Sequence, residues 1–221
     1  MIYVRNLFKK YGSKIVLNNV NLSFEPSKLY GVMGENGAGK STLFRCMTKQ
    51  DSFDGDIEIP SEETIGYMPD TPYFYPMIKG KEYVKFCIKA RGQSVTDTEI
   101  IKANELYQLP LDEYAVKYSL GMRKRLVMLT LMLQKSDIYI LDEPFNGLDL
   151  FGTMMLKKWL LRLREENKTV IVSSHIISSL TDVCDSITYI HAGEVVETFE
   201  EMNSKLIEEK IWQYCGEKID L

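Results

Sequence analysis

The feature that most constrains this sequence is the stretch Gly34-Glu35-Asn36-Gly37-Ala38-Gly39-Lys40-Ser41, which fits the pattern G-x-x-x-x-G-K-[S/T]. It follows a short apolar run, Leu29–Met33, that is typical of a buried strand, and it precedes a predicted helix over 41–47. Glycines allow the backbone to wrap closely around an anion and to point N–H groups at it. The amino end of the following helix adds a positive partial charge. The sequence therefore predicts a strand, a phosphate-binding loop and a helix in that order.

This loop indicates nucleotide binding. Lys40 is expected to hold the β- and γ-phosphates, and the Ser41 hydroxyl is expected to bind Mg²⁺. The other residues that we assign to phosphate binding are Gly34, Asn36, Gly37, Gly39 and Thr42. A glycine turn before a helix, without any ligand, is the alternative interpretation of the loop alone. Its position between a strand and a helix favours the nucleotide.

Strands alternate with helices along most of the chain. Val20–Phe24 alternates apolar and polar residues, as a half-buried strand does. Further strands are predicted over 56–59, 64–67, 138–141 and 170–172, with a hairpin over 186–196 that turns at Ala192-Gly193. Helical spacing covers 78–133 and 150–166. The alternation predicts an α/β fold with a parallel sheet flanked by helices, and the block from about 73 to 133 is predicted to be a helical insertion.

The composition is that of a folded protein, and its 221 residues suit one sizeable domain. The net charge of −4 provides no basic excess, so no nucleic-acid partner is expected. The longest nearly apolar run, Leu126–Leu133, is much shorter than the ~20 residues that span a bilayer. No two cysteines form a C-x-x-C pair, which favours unpaired thiols in a reducing cytosol over a zinc site. The cysteines are Cys46, Cys87, Cys184 and Cys215.

A second motif places two acidic residues directly after an apolar strand. Asp142 and Glu143 follow the run 138–141. A strand in this position delivers Asp142 to the phosphate end of the sheet, where a carboxylate supports Mg²⁺. Glu143 is then placed to polarise an attacking water. A strand that simply ends in an acidic turn is common, but together with the phosphate loop the pair indicates nucleotide hydrolysis.

Residues 118–125, Tyr-Ser-Leu-Gly-Met-Arg-Lys-Arg, lie between these motifs. Taken together with those two motifs, this stretch resembles the signature of the ATP-binding-cassette (ABC) family of nucleotide-binding subunits, which usually reads LSGGQ. Ser119 and Gly121 match the signature, whereas Leu120 and Met122 depart from it, as in a variant of exporter-type ABC ATPases. The residues alone also fit a small cap at the start of a helix. The resemblance implies that Ser119 and Gly121 bind a nucleotide phosphate.

Other residues fall in the order that this resemblance implies. Asp149 ends a stretch similar to the family's D-loop, and His175 resembles the switch histidine that contacts the γ-phosphate. Tyr11 precedes the phosphate loop as the family's adenine-stacking aromatic does, and a core or surface tyrosine is the alternative. One position departs from the family. Asp70 stands where the Q-loop glutamine that binds Mg²⁺ and water is expected.

The resemblance implies one ABC nucleotide-binding domain over 1–221, with a P-loop NTPase core, an antiparallel β subdomain and an inserted α-helical subdomain. It implies an ATPase that uses ATP and Mg²⁺ and meets a second ABC domain head to tail, as a homodimer or with a related subunit. That dimer would power transport, and more specifically export, by separate transmembrane permease subunits. The protein is then expected to be cytoplasmic and peripheral, held at the inner face of the cell membrane through a membrane subunit.

Two other functions stay open at this point. A soluble ABC ATPase that acts on ribosomes or DNA is disfavoured by the single cassette and the negative charge. A module that binds ATP without hydrolysis is disfavoured by the complete set of Lys40, Asp142, Glu143 and His175. The aromatic stretch 73–76 either docks a helix of a membrane subunit or packs in the core. The tail from about Met202 shows no recognisable element.

Overall fold

The structure is a computed structural model that describes residues 1–216, with side chains up to Tyr214. The thiol predicted at Cys215 and residues 217–221 of the predicted domain lie outside this described part. In chain order the strands are β1 (Ile2–Tyr11), β2 (Lys14–Phe24), β3 (Leu29–Met33), β4 (Asp54–Glu58), β5 (Ile65–Met68), β6 (Ile138–Leu141), β7 (Thr169–Ser174), β8 (Ser186–His191) and β9 (Glu194–Phe199).

The helices are α1 (Lys40–Met47), α2 (Gly80–Lys89), α3 (Asp97–Tyr107), α4 (Leu120–Gln134), α5 (Leu150–Glu165), α6 (Ile177–Thr181) and α7 (Ser204–Gly216). A short 3₁₀ turn at Ala115–Lys117 precedes α4. Over residues 1–216, no helix combines the length and the apolar character needed to cross a membrane.

The strands form two sheets. A three-stranded antiparallel sheet has the order β2-β1-β4, and a six-stranded sheet has the order β5-β6-β7-β3-β8-β9. The larger sheet is parallel from β5 to β8, and β9 closes it as the antiparallel arm of a hairpin. The predicted bounds of β3 and β6 and the hairpin turn at Ala192-Gly193 are confirmed. The α/β fold class that was predicted from the sequence is confirmed as well.

The helical stretch predicted after Pro76 forms α2, α3 and α4, in the connection from β5 to β6. The helix α4 packs against both other helices and against β5. The aromatic stretch 73–76 at the start of this helical block is partly buried in the core and partly exposed. Phe74 is buried with its ring 4.7 Å from that of Tyr83, whereas Tyr73 and Tyr75 are 74% and 62% exposed.

Parallel pairing aligns the carboxyl ends of four strands at one edge of the larger sheet. Met33 at the end of β3 pairs with Ser174 at the end of β7. Leu141 at the end of β6 pairs with Met68 at the end of β5. The segments that follow these strands therefore meet at this edge, which is where ligands bind in open α/β sheets. They carry the phosphate loop, Asp70, the pair Asp142-Glu143 and His175.

The tail from about Met202 forms the helix α7. Ile207 of this helix has no exposed surface and belongs to the main hydrophobic core. The Tyr214 hydroxyl donates a hydrogen bond of 2.9 Å to Glu197 on β9, and Lys210 forms an ion pair with the same carboxylate. Up to Tyr214, the tail is therefore part of the packed fold.

We expect Ile207→Ala to lower the free energy of unfolding by about 3 kcal/mol, because the smaller side chain leaves a cavity in the core. The neighbouring exposed residue provides the control, since Glu208→Ala should change the free energy of unfolding by less than about 0.5 kcal/mol. Urea denaturation of both variants measures the difference. Equal stability of the two variants would show that α7 is not fastened to the core.

Candidate nucleotide site

The phosphate loop connects β3 to α1, as predicted. Gly39 has a φ of +108°, and a Cβ atom there would lie 2.8 Å from Cδ2 of Leu17 and 2.9 Å from the carbonyl oxygen of Val16. Only glycine fits this position. Because α1 begins at the next residue, its unsatisfied N–H groups start at the cleft that the loop borders.

This cleft brings most of the predicted site residues together. Those that line it are Tyr11, Asn36, Gly37, Gly39, Lys40, Ser41, Thr42, Asp70 and Glu143. It is also lined by Lys14 and Val16, which no sequence motif singled out, and by Asn146, which begins the stretch similar to the D-loop. The predicted site residues that do not line it are Gly34, Ser119, Gly121, Asp142, Asp149 and His175.

The ammonium group of Lys40 lies at the centre of the loop. Its Nζ donates hydrogen bonds to the carbonyl oxygens of Gly34, at 2.6 Å, and Glu35, at 3.1 Å. It also lies 3.1 Å from Oε1 of Glu143, and both side chains are almost completely buried. A buried ammonium requires such acceptors. Phosphate oxygens are acceptors of the same kind and carry more charge, so Lys40 is suited to bind them.

Glu143 is held by its main chain and by its carboxylate. Its N–H donates to Oγ of Ser173 at 2.8 Å, and its Oε2 lies 3.0 Å from Nδ1 of His175. The contact of Oε1 with Lys40 is ionic only, because this buried atom accepts no hydrogen bond within the described residues. Because this carboxylate oxygen lacks a hydrogen-bond donor, it is suited to accept a hydrogen bond from a water molecule, as a general base must.

Asp142 is buried beside two hydroxyl groups. Ser173 donates a hydrogen bond of 2.7 Å to its Oδ1, and Ser41 also hydrogen bonds to its carboxylate. Burial raises the pKa of Asp142, and the hydrogen bonds from both serines oppose that shift. The carboxylate of Asp142 and the hydroxyl of Ser41 are thus hard oxygen donors at one point, and their role toward a metal stays a prediction.

The donor set fits Mg²⁺. Within residues 1–216, no group of three His, Cys, Asp or Glu side chains is arranged to hold a metal ion by itself. Mg²⁺ is commonly held by one or two carboxylates together with substrate phosphates. Ser41 and Asp142 provide this partial set beside the phosphate loop.

Asp70 faces Lys124, a residue that the sequence marks only as part of a basic helix start. Its Oδ1 lies 3.4 Å from Nζ of Lys124, which has no exposed side-chain surface. The same Nζ donates a hydrogen bond to the carbonyl oxygen of Glu143. Burial lowers the pKa of Lys124, and the charge of Asp70 opposes this shift. The sequence signal that could have identified Lys124 is a lysine on the apolar face of a helix, four residues before Met128.

Tyr11 is held by its hydroxyl at the side of the cleft. The hydroxyl donates to Asp51 and accepts a hydrogen bond of 2.9 Å from Arg45. The hydrogen bond from Tyr11, followed by that from Arg45, lowers the pKa of Asp51. Lys9 covers the ring at 4.8 Å from its centroid. The side chain is 42% exposed, and its stacking on adenine stays a prediction.

The signature residues lie beside the segment that follows Glu143. Ser119 and Asp149 are exposed and cap α4 and α5, each accepting a hydrogen bond from an N–H of its own helix. A Cβ atom on Gly121 would lie 2.6 Å from the carbonyl oxygen of Gly147. Packing therefore requires glycine at position 121, and the role of these residues toward a nucleotide stays a prediction.

Comparisons with known proteins agree with this geometry. The model of the ABC transporter family matches residues 17–146. The bacitracin transport ATP-binding protein of Enterococcus faecalis is 35% identical over 212 residues, which cover 89% of this chain and 68% of that protein. The lantibiotic transport ATP-binding protein of Streptococcus pyogenes is 32% identical over 218 residues, 95% of each chain.

Among solved structures, the fold is similar to that of a dimeric ATP-binding cassette in a post-hydrolysis state with ADP and Pi. The TM-score is 0.81 at 21% identity, and the match covers 90% of this chain and 98% of the other. At this identity the likeness concerns the fold.

The bridge that Ser173 forms between Asp142 and Glu143 generates a prediction. We expect Ser173→Ala to lower the kcat of nucleotide hydrolysis about tenfold, because two buried groups lose a hydrogen bond worth roughly 1–1.5 kcal/mol. Thr130→Ala is the control, since it removes a buried hydroxyl that bonds only within α4, to Leu126. A steady-state hydrolysis assay compares them. Equal kcat for the two variants would mean that Ser173 does not position the acidic pair.

Proposed function

This chain belongs to the ABC transporter family of ATPases, and we propose that it is the ATP-hydrolysing subunit of a peptide exporter whose membrane-spanning parts are separate chains. The relatives named above are ATP-binding proteins of bacitracin transport and of lantibiotic transport, and a further relative, from Bacillus subtilis, is a peptide export ATP-binding protein. The similarity of Ser119-Leu120-Gly121-Met122 to the exporter-type signature supports the direction of transport.

One observation carries the catalytic part of the proposal. Lys40, Glu143 and His175 form one continuous contact network, with Nζ of Lys40 3.1 Å from Oε1 of Glu143 and Nδ1 of His175 3.0 Å from its Oε2. Asp142 precedes this carboxylate and contacts Ser41. A phosphate-binding ammonium, a carboxylate and an imidazole in one network are the groups that hydrolysis needs, whereas binding alone needs only the loop.

Each side chain has a defined task in this mechanism. Lys40 neutralises the β- and γ-phosphates and holds them at the loop. Glu143 accepts a hydrogen bond from the attacking water and orients it. His175 fixes the other carboxylate oxygen and faces the terminal phosphate. Ser41, Asp142 and Asp70 would hold Mg²⁺, which would supply further positive charge for the phosphates.

The signature residues Ser119 and Gly121, together with Asp149, complete the site in a second copy of the domain. Ser119, Gly121 and Asp149 lie outside the cleft of their own chain. Head-to-tail pairing with a second ABC domain, in a homodimer or with a related subunit, brings them to the nucleotide of the partner. The dimeric solved cassette with ADP and Pi supports this arrangement.

The exposed aromatic residues after β5 are the proposed contact with the membrane subunit. Tyr73, Tyr75 and Met77 are each more than 60% exposed. Exposed aromatic and methionine side chains are enriched at protein interfaces. This contact would hold the protein at the inner face of the cell membrane. A ribosome- or DNA-directed ATPase is not favoured, because the relatives are transport proteins and the net charge is −4.

The first test uses the catalytic carboxylate. Glu143→Gln should keep ATP binding but lower turnover by ~10²–10⁴, because the amide no longer polarises water. ATP with Mg²⁺ should then produce a long-lived dimer in size-exclusion chromatography, whereas ADP should not. Hydrolysis by this variant at the wild-type rate would contradict the role of Glu143.

The second test uses complementation between two inactive variants. Lys40→Ala removes phosphate binding, and Ser119→Arg blocks the space for the partner's phosphate. In a homodimer, a random 1:1 mixture should recover about a quarter of the wild-type activity, since half of the pairs contain one intact site of two. Each variant alone is the control. A mixture as inactive as its components would count against a site shared between two copies.

A further inference from the structure

Lys124 is a buried charge that the mechanism above does not use. It lies in the second turn of α4, and its side chain has no exposed surface. An ammonium with no exposed surface carries a desolvation cost that its partners must offset, so its partners are informative.

Both partners of Lys124 belong to the nucleotide site. Its Nζ donates to the carbonyl oxygen of Glu143 and lies 3.4 Å from Oδ1 of Asp70. The carbonyl of Glu143 also accepts a hydrogen bond of 3.1 Å from the N–H of Asn146. One side chain from α4 thus joins the segment after β6 to the segment after β5.

We propose that Lys124 is a positioning residue of the ATPase that fixes the main chain at Glu143 and holds Asp70 beside it. This inference rests on the proposed function, because it concerns the catalytic carboxylate. Lys124 itself acts only through these two neighbours.

The backbone at Glu143 explains why its carbonyl requires a strong donor. Glu143 has a φ of +45°, in the left-handed region that non-glycine residues rarely adopt. Such a conformation persists only when surrounding contacts enforce it. The charge-assisted hydrogen bond from Lys124 holds the carbonyl, while Ser173 holds the N–H. The direction of the carboxylate toward Lys40 and His175 follows from this backbone.

The second contribution of Lys124 is electrostatic. Asp70, Asp142 and Glu143 bring three carboxylates to one edge of the sheet. Lys40 contacts Glu143, and Lys124 contacts Asp70. Without Lys124, Asp70 keeps only the compensation that Mg²⁺ would provide, at a site that must bind a triphosphate, so ATP affinity falls. Neutralising Asp70 in that background removes the excess charge.

The test separates these two contributions. Lys124→Met keeps most of the length of the side chain and removes its ammonium, and we expect kcat to fall at least about tenfold. Its affinity for a fluorescent ATP analogue should also fall. The double variant Lys124→Met/Asp70→Asn should recover the affinity toward the wild-type value, whereas its kcat should stay low because the carbonyl of Glu143 still lacks the ammonium donor.

A second variant covers poor folding of the first. Lys124→Gln keeps a hydrogen-bond donor without the charge, so it should lose affinity as Lys124→Met does while keeping more of kcat. Lys158→Met, the same exchange at an exposed position of α5, is the matched control and should change neither quantity. Thermal unfolding of every variant reports the folded fraction.

The outcomes are distinguishable. A wild-type kcat for the folded fraction of Lys124→Met overturns the positioning of Glu143. An affinity of the double variant no better than that of Lys124→Met overturns the charge pairing with Asp70. Glu143→Gln is measured in parallel, because wild-type turnover by that variant would refute the proposed function itself, independently of Lys124.

Discussion

The buried ion pair between Lys40 and Glu143 is the interaction on which the rest of the site depends. The two charged groups are 3.1 Å apart, and their side chains are 5% and 7% exposed. Removing either partner would leave an uncompensated charge inside the protein, which is strongly unfavourable. In the proposed function, phosphate groups compete for the same ammonium. Nucleotide binding and the environment of the Glu143 carboxylate are then linked through one charge.

The sheet makes this pairing possible, and its central strands were predictable from the sequence. β3 and β6 lie inside a parallel sheet, so both faces are buried and the strands read as continuous apolar runs. Their bounds depend on local sequence alone. The chemistry follows within a few residues of each strand end, so Lys40, Asp142 and Glu143 are assignable from the order of residues along the chain.

The features that the sequence did not predict depend on contacts between distant parts of the chain. Lys124 meets Asp70 across 54 positions, and no local pattern encodes that distance. Phe74 and its neighbours Tyr73 and Tyr75 are equally aromatic, but only the packing of α2 decides which ring is buried. The helix α7 was missed although Ile207 and Ile211 stand four residues apart on its buried face, because the neighbouring Leu206 and Trp212 blur this spacing. The assignments of Tyr11, Asp70 and the signature residues to a nucleotide likewise stay predictions, because they concern a ligand and a second domain.

In the proposed dimer, the packing of α4 connects the surface that meets a second domain with the carboxylate of Glu143. Gly121 leaves no room for a Cβ atom against the carbonyl of Gly147, and a Cβ atom on Gly147 would lie 2.7 Å from the side chain of Leu120. The start of α4 and the segment after Glu143 are therefore in direct, tight contact. Ser119 caps this same helix start, about one turn before Lys124. A phosphate of the partner domain that contacts Ser119 would therefore act on a packed unit that includes both the start of α4 and the backbone of Glu143.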